Sequence, residues 1–426
     1  MAVIKSFKSI VYNQDKVNIS DVVSEPYDKI SPEMHKNYLE TSNKNIANII
    51  LNKPEPDDNE NENVYTRAAG FFEQWLDENI LVAENEESFY LYQQVFAIGE
   101  LQYTREGLIC LGKLIPHGDG VHPHEKTLSK PKEDRLRLLK STRANYGHIF
   151  MLYNDPENQI YMASERLKKT PPFVDFICKN NIQHRLWRIN EEILVKEIES
   201  IMSDKKLFIA DGHHRYETAL NYLDERGGRL NDPAAGWRMM TLVNMHDPGL
   251  IILPTHRVVK NLHSLDLDKF YKNLEVRFSV SRMNTLQDVK KSLSVGLGKG
   301  ISIGVFDGVE YRLLQFDQGT LSEEDAPGKS ETWRSLDVSV LHTLILDQLL
   351  GIDEVKMSDQ SNLVYVREPE KARDYIENRK AQLAFFINPA QVKQVRNIAM
   401  EGETMPQKST DFYPKILSGL TCYKLD

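Results

Sequence analysis

The chain has 426 residues, 41% of them hydrophobic and 27% charged, with a formal net charge of −9. This is the composition of an ordinary globular protein with room for a sizeable core and for two domains. The acidic balance argues against a general binder of nucleic-acid backbones, which carries a basic face, and no apolar run is long enough to span a bilayer.

The opening MAVIKSFKSIVY lacks the apolar core of a secretory signal. The three cysteines, Cys110, Cys178 and Cys422, are scattered and form no CxxC pair. That usage fits a reducing compartment, so a cytoplasmic protein is expected. In VSEPYDKISPEMHKNYL, Ser31 can cap a helix whose first position is Pro32. The acidic KPEPDDNENEN (53–63) reads as a surface loop. A helix follows, with Ala68, Phe72, Trp75 and Leu76 on one face. Residues 87–115 alternate apolar and polar residues around Gly99-Glu100, the pattern of antiparallel strands.

Residues 133–143 read as a helix with Leu136 and Leu139 inward. KKLFIA (205–210) is a short apolar strand. DGHHRYETALNYLDERGG then places Tyr216, Ala219, Leu220 and Leu223 on one helix face, closed by Gly227-Gly228. RMMTLVNM (238–245) is a further buried strand. After the DPGL turn, helix and strand signals alternate to the end, and a domain boundary is placed near residue 260.

Two stretches carry unusual chemistry. In LFIADGHHRYET, a strand, an Asp-Gly turn and a helix start follow one another. Such a turn points backbone N–H groups at an anion. Asp211 stands where an N-cap belongs, and Gly212 lets a ligand approach the backbone. His213, His214 and Arg215 fall in the first helical turn, where positive charge opposes the helix dipole by roughly 0.3–1 kcal/mol per charge. A bound phosphate would reverse that sign. The alternative is neutral, packed histidines with Arg215 paired to Glu217 or Glu225.

The second stretch is VHPHEKTLSKPKEDRLRLLKSTRANYGHIF (121–150). From Glu125 to Arg143 it holds seven cations against three acids in an otherwise acidic chain. Lys132 and Arg135 suit an anion. Glu125, with His124 beside it, or Asp134 suits proton transfer or a magnesium ion. A transition metal on the His-x-His pair lacks further ligands at a recognisable spacing. EPYDKIS adds Asp28, LPTHRVV adds His256 and Arg257, and MPQKSTDFYPK adds Lys408, Ser409, Thr410, Tyr413 and Lys415. The common nucleotide-loop and serine-nucleophile signatures are absent.

Taken together, EPYDKIS, HPHEKT with KEDRLRLL, IADGHHRYETAL, DPGLIILPTHRV and MPQKSTDFYPK resemble the prokaryotic domain-of-unknown-function family numbered 1015, over the whole chain and in the same order. Locally, over about residues 205–245, ADGHHRYETAL is similar to the helix-start motif of the ParB/sulfiredoxin superfamily. That resemblance implies that Arg215, preceded by His213 and His214, faces nucleotide phosphates. It implies an α+β chain: a ParB/sulfiredoxin-like nucleotide-binding core over 1–260, then a mixed α/β region over 261–426.

The departures narrow the chemistry. Sulfiredoxins need a cysteine in this turn, and none is here. Partition proteins carry a helix-turn-helix, and none is evident after residue 260, so DNA is not an expected partner. The branch resembling kinases of free serine fits best. It implies a phosphotransferase or nucleotide hydrolase taking ATP, ADP or CTP, with magnesium as an optional companion and a small-molecule acceptor. Glu125, Asp28 and His124 are the catalytic candidates. Asp211, Gly212, His213, His214, Arg215, Lys132, Arg135, Lys408, Ser409 and Thr410 are the nucleotide-binding ones. Two alternatives stay open: a nucleotide-switched interaction protein, and a metal-dependent hydrolase using His122, His124, Glu125 and His213. Oligomeric state is left open.

Overall fold

A computed structural model describes residues 1–125 and 129–425, with side chains of 129–131 excepted. Lys126 and the side chain of Lys130 therefore lie outside the described residues. The chain divides into two compact units. Among the described residues, unit 1 comprises 1–123, 129–251 and 414–425, and unit 2 comprises 124–125 and 252–413. The sequence places one boundary near 260; in the structure the crossing falls at 251–252, and the chain re-enters unit 1 at 414.

Unit 1 is mixed α/β around a nine-stranded sheet. In chain order its strands are β1 (Ile4–Lys5), β2 (Phe89–Ile98), β3 (Leu101–Lys113), β4 (Val121–His122), β5 (Ile149–Tyr153), β6 (Val174–Ile177), β7 (Gln183–Ile189), β8 (Leu207–Asp211) and β9 (Trp237–Asn244). The spatial order is β4-β8-β5-β9-β3-β2-β7-β6, with β1 beside β3. Pairs β4–β8 and β5–β9 are parallel. The expected 87–115 meander is the antiparallel hairpin β2–β3, in which Ile98 faces Leu101 across the Gly99-Glu100 turn.

The helices of this unit bury most of the stripes their sequences predict, with Leu76, Leu136 and Leu220 only half-buried. Helix α1 (Pro32–Thr41) is capped by Ser31, whose hydroxyl accepts the Met34 N–H. Helix α2 (Val64–Asp77) buries Ala68, Phe72 and Trp75. Helix α3 (Ser129–Thr142) precedes β5, and α4 (Glu192–Met202) precedes β8. Helix α5 (His213–Glu225) buries Tyr216, Ala219, Tyr222 and Leu223. These pack with Ile149, Met151, Ile209, Met240 and Leu242 of the central strands. Each such aliphatic side chain removed from water contributes roughly 1.5–3 kcal/mol.

Unit 2 holds a six-stranded antiparallel sheet. Its strands are β10 (His256–Val259), β11 (Phe278–Met283), β12 (Ser302–Phe306), β13 (Tyr311–Phe316), β14 (Leu363–Val366) and β15 (Leu383–Phe386), ordered β11-β13-β12-β15-β10-β14. Helices α6 (Leu286–Gly296) and α7 (Pro369–Glu377) cover it through Val289, Leu293, Ala372 and Ile376. No helix among the described residues is long and apolar enough to cross a membrane.

Candidate anion site

Strand β8 ends at Asp211, and helix α5 begins immediately after Gly212. Gly212 is the N-cap and adopts φ +96°, a conformation that disfavours any side chain. This corrects the expected cap: Asp211 does not cap the helix. Its carboxylate instead lies 3.1 Å from the Lys415 ammonium and 3.9 Å from the Arg215 guanidinium. Burial pushes the Asp211 carboxyl up, but Lys415 first and then Arg215 and Lys29 outweigh it. The group is held well below the usual carboxylate range.

The misplaced cation of the helix start is also explained. Arg215 folds back over the turn rather than out along the dipole. A Cβ on Gly212 would meet its guanidinium at 3.0–3.2 Å, and one on Gly147 would meet its Nη1 at 3.2 Å. The guanidinium donates to the His148 carbonyl at 2.6 Å. His148 is held between the hydroxyls of Thr241 (2.6 Å) and Thr421 (3.0 Å). Burial, then the charge of Arg215, lowers its pKa to about 3, so the ring is neutral. The alternative partners Glu217 and Glu225 pair with Lys132 (3.0 Å) and Lys140 (2.5 Å).

Arg215 forms one wall of a cavity of about 50 Å³ in unit 1. At roughly 10–15 Å³ per water-sized probe, this admits a few waters or one phosphoryl group. Arg135, Arg238, Tyr27, Thr218 and Ser418 also line it, and among the described lining residues there is no carboxylate. Arg135 is already engaged: it pairs with Asp134, donates to the Ile50 carbonyl at 2.7 Å and stacks 4.1 Å from the Tyr27 ring centre. Burial pushes the Tyr27 phenol up to about 12, reinforced by Asp28 and opposed by Arg135 and Arg215.

Arg238 is different. It is 8% exposed, makes no ion pair among the described residues, and its buried Nε has no hydrogen-bond partner. Burial, then the neighbouring charge of Arg215, lowers its pKa to about 9. Buried guanidinium groups without an anion are costly. In the sequence Arg238 is hidden, because RMMTLVNM reads as a plain apolar strand. The available signal was an arginine placed beside the fully buried Met239 and Met240.

The remaining candidates divide between the units. In unit 1, His213 is buried and His214 half-buried on the first turn of α5, while Lys132 is spent on Glu217. Asp28 is exposed in the short helical turn Tyr27–Lys29. In unit 2, His124 and Glu125 meet the start of MPQKSTDFYPK. His124 Nε2 lies 2.9 Å from the Thr410 hydroxyl, Glu125 accepts the Lys408 N–H at 3.5 Å, and the His124 carbonyl accepts the Met405 N–H at 2.8 Å. The Ser409 hydroxyl is turned to the Pro406 carbonyl. In unit 1, Lys415 serves the Asp211 turn. Among the described residues no group of three or more His, Cys, Asp or Glu side chains could hold a metal, so the His122, His124, Glu125 and His213 alternative has no ligand set to stand on.

The chain belongs to the family described as "Protein of unknown function (DUF1015)", whose model matches residues 4–339. No curated protein matches it. Among solved structures, a conserved hypothetical protein from Pyrococcus furiosus is 15% identical, covering 74% of this chain and 95% of that one at a TM-score of 0.36. A free serine kinase in complex with AMP is 13% identical, covering 73% and 92% at 0.35. SbnI with a C-terminal truncation, from Staphylococcus aureus, is 11% identical, covering 73% and 85% at 0.34. With likenesses this loose, the functional reading rests on the chain's own residues.

Proposed function

We propose that unit 1 is a ParB/sulfiredoxin-like core that binds a nucleotide by its phosphates and uses it in phosphoryl transfer to a small molecule. The observation that carries the reading is Arg238, a buried guanidinium without an anion, sharing a phosphoryl-sized cavity with Arg215. Guanidinium groups offer planar pairs of donors that match phosphate oxygens. The turn from Gly212 to Arg215 adds the start of α5, where a phosphate satisfies the dipole and the cations together. Charge developing on a transferred phosphoryl group would be stabilised by donors already in place.

Asp211 is not the base in this reading, because a carboxylate held ionised by Lys415 and Arg215 is a poor proton acceptor. It orients the two cations instead. Asp28, which lies in the same unit as the cavity, is the acid–base candidate of this reading. Lys408, Ser409 and Thr410 are proposed to position Glu125 rather than to hold phosphate.

Calorimetric titration with ATP, ADP and CTP, with and without magnesium, tests the binding step. Arg238→Met should weaken nucleotide binding about tenfold to a hundredfold, the worth of one to two charged hydrogen bonds. The same variant should melt no lower than the parent without ligand, since a buried unpaired charge is removed. Absence of binding at millimolar nucleotide would overturn the proposal, as would a lower melting point with affinity intact.

A further inference from the structure

Unit 2 contains a cavity that the nucleotide reading does not use. Its volume is about 250 Å³. This is below the roughly 300–1,000 Å³ of drug-sized and cofactor sites. The floor is built from Met357 and Met405, both buried, and from the half-buried indole of Trp333. Trp333 is fixed by a 3.1 Å hydrogen bond from its ring N–H to the Thr404 carbonyl.

One wall comes from an unusual helix. Residues Leu341–Leu349 form a π-helix, in which the Leu350 N–H reaches back to the Ile345 carbonyl at 3.0 Å. In an α-helix, residues five apart lie about 140° away from each other around the axis. The wider π turn brings such residues back into line. His342 and Asp347 stand five apart, and both line the cavity, with Thr343 between them. Widened turns of this kind collect at functional sites.

The protonation of His342 follows from its partner. Arg257 donates from Nε to the His342 Nε2 at 3.2 Å. A guanidinium cannot accept, so Nε2 accepts and the ring hydrogen sits on Nδ1. Burial, then the Arg257 charge, holds the ring neutral. The ring, 6% exposed, therefore carries an N–H donor at Nδ1, with the positive charge of Arg257 at Nε2.

The mouth carries charge of both signs. The Lys329 ammonium lies 5.2 Å from the Trp333 ring centre, and Asp347 and Glu354 are exposed at the rim. Neither Lys329 nor Asp347 makes an ion pair among the described residues. We propose that this cavity binds a zwitterionic amino acid with a large apolar side chain. Its carboxylate meets Lys329 and the His342 N–H, and its ammonium meets Asp347 and Glu354. Its side chain packs on Trp333, Met357 and Met405. Nucleotides are disfavoured by the volume and by the two rim carboxylates.

The test is calorimetric titration of the full chain with L-phenylalanine, L-methionine and L-leucine. L-serine and N-acetyl-L-phenylalanine amide serve as probes that lack the side chain or the charges. Saturable binding of the large neutral amino acids is expected, with both control probes at least about tenfold weaker. Asp347→Asn and Lys329→Met should each weaken binding about fivefold, the scale of one partly exposed charge pair. Thr343→Phe should fill the cavity and abolish binding. Should that variant not fold, the Lys329 and Asp347 variants still report on the site. Arg238→Met, in the other unit, should leave the amino-acid affinity unchanged. No saturation by about 10 mM of any large neutral amino acid would overturn the proposal, as would affinities unmoved by both charge variants or lost with Arg238→Met.

Discussion

Arg215 shows how a residue that violates a local rule is accommodated. Its charge stands at the positive end of a helix, yet the side chain turns back to the His148 carbonyl and toward Asp211. Asp211 in turn is kept ionised by Lys415, which arrives from the far end of the chain. Arg238 has no such compensation, and that is why the anion site is argued from it. Asp337, in unit 2, is strained in the opposite sense. Burial pushes its carboxyl up to about 7, opposed by the nearby amide groups of Asn388. An unfolded aspartate titrates near 4, so the folded state binds the proton more tightly. The resulting stabilisation is complete below about pH 4 and is lost as pH rises through about 7. Asp337→Asn does not titrate. Urea denaturation from pH 4 to pH 8 should show the parent losing stability relative to this variant, by at most about 4 kcal/mol. A difference that does not change with pH would contradict the assignment.

At the scale of elements, the strand–turn–helix unit β8–Gly212–α5 was legible in the sequence, as was its closure at Gly227. Apolar periodicity, a glycine and a second glycine pair suffice to write it. The exact cap was not legible. Asp-Gly before a helix predicts an aspartate cap, but Gly212 alone can take the left-handed conformation while leaving room for the Arg215 guanidinium. Gly212→Ala should therefore cost about 1–2 kcal/mol from backbone strain alone. It should also displace Arg215, so that nucleotide affinity falls together with stability. Chemical denaturation and titration of one preparation check both; unchanged values would refute the packing argument. The π-helix over Leu341–Leu349 was not legible either. Its residues have an ordinary helical pattern, and the widened turn is set by tertiary packing of Leu341, Leu344, Ile345 and Leu346.

At the scale of the molecule, residues 414–425 complete unit 1 although they follow all of unit 2. They bring Lys415 to Asp211, Ser418 to the anion cavity and Thr421 to His148. They also bury Ile416, Leu417, Leu420, Cys422 and Leu425. At roughly 1.5–3 kcal/mol for each large apolar side chain, this segment matches the whole net stability of about 5–15 kcal/mol typical of a domain. A chain ending at residue 413 should lose the cooperative melting of unit 1 in circular dichroism. A transition at the parent temperature would show that the segment is dispensable.

Local chemistry is what the sequence determined by itself. Its apolar periods laid out the helices and the β2–β3 hairpin, its five motifs marked the family, and its Asp-Gly-His-His-Arg turn marked a place for an anion. Each of these depends on residues within a few positions of one another, where backbone geometry alone relates them. Tertiary structure decided the pairings. It brought Lys415 rather than Glu217 into the charge network of the turn. It added Arg238 from a strand that reads as plain core, and it divided the His124–Glu125 cluster from the Arg215 cavity between two units. Those facts depend on which strands lie side by side and where the chain returns, and no spacing along the sequence encodes a distance in space across two hundred residues.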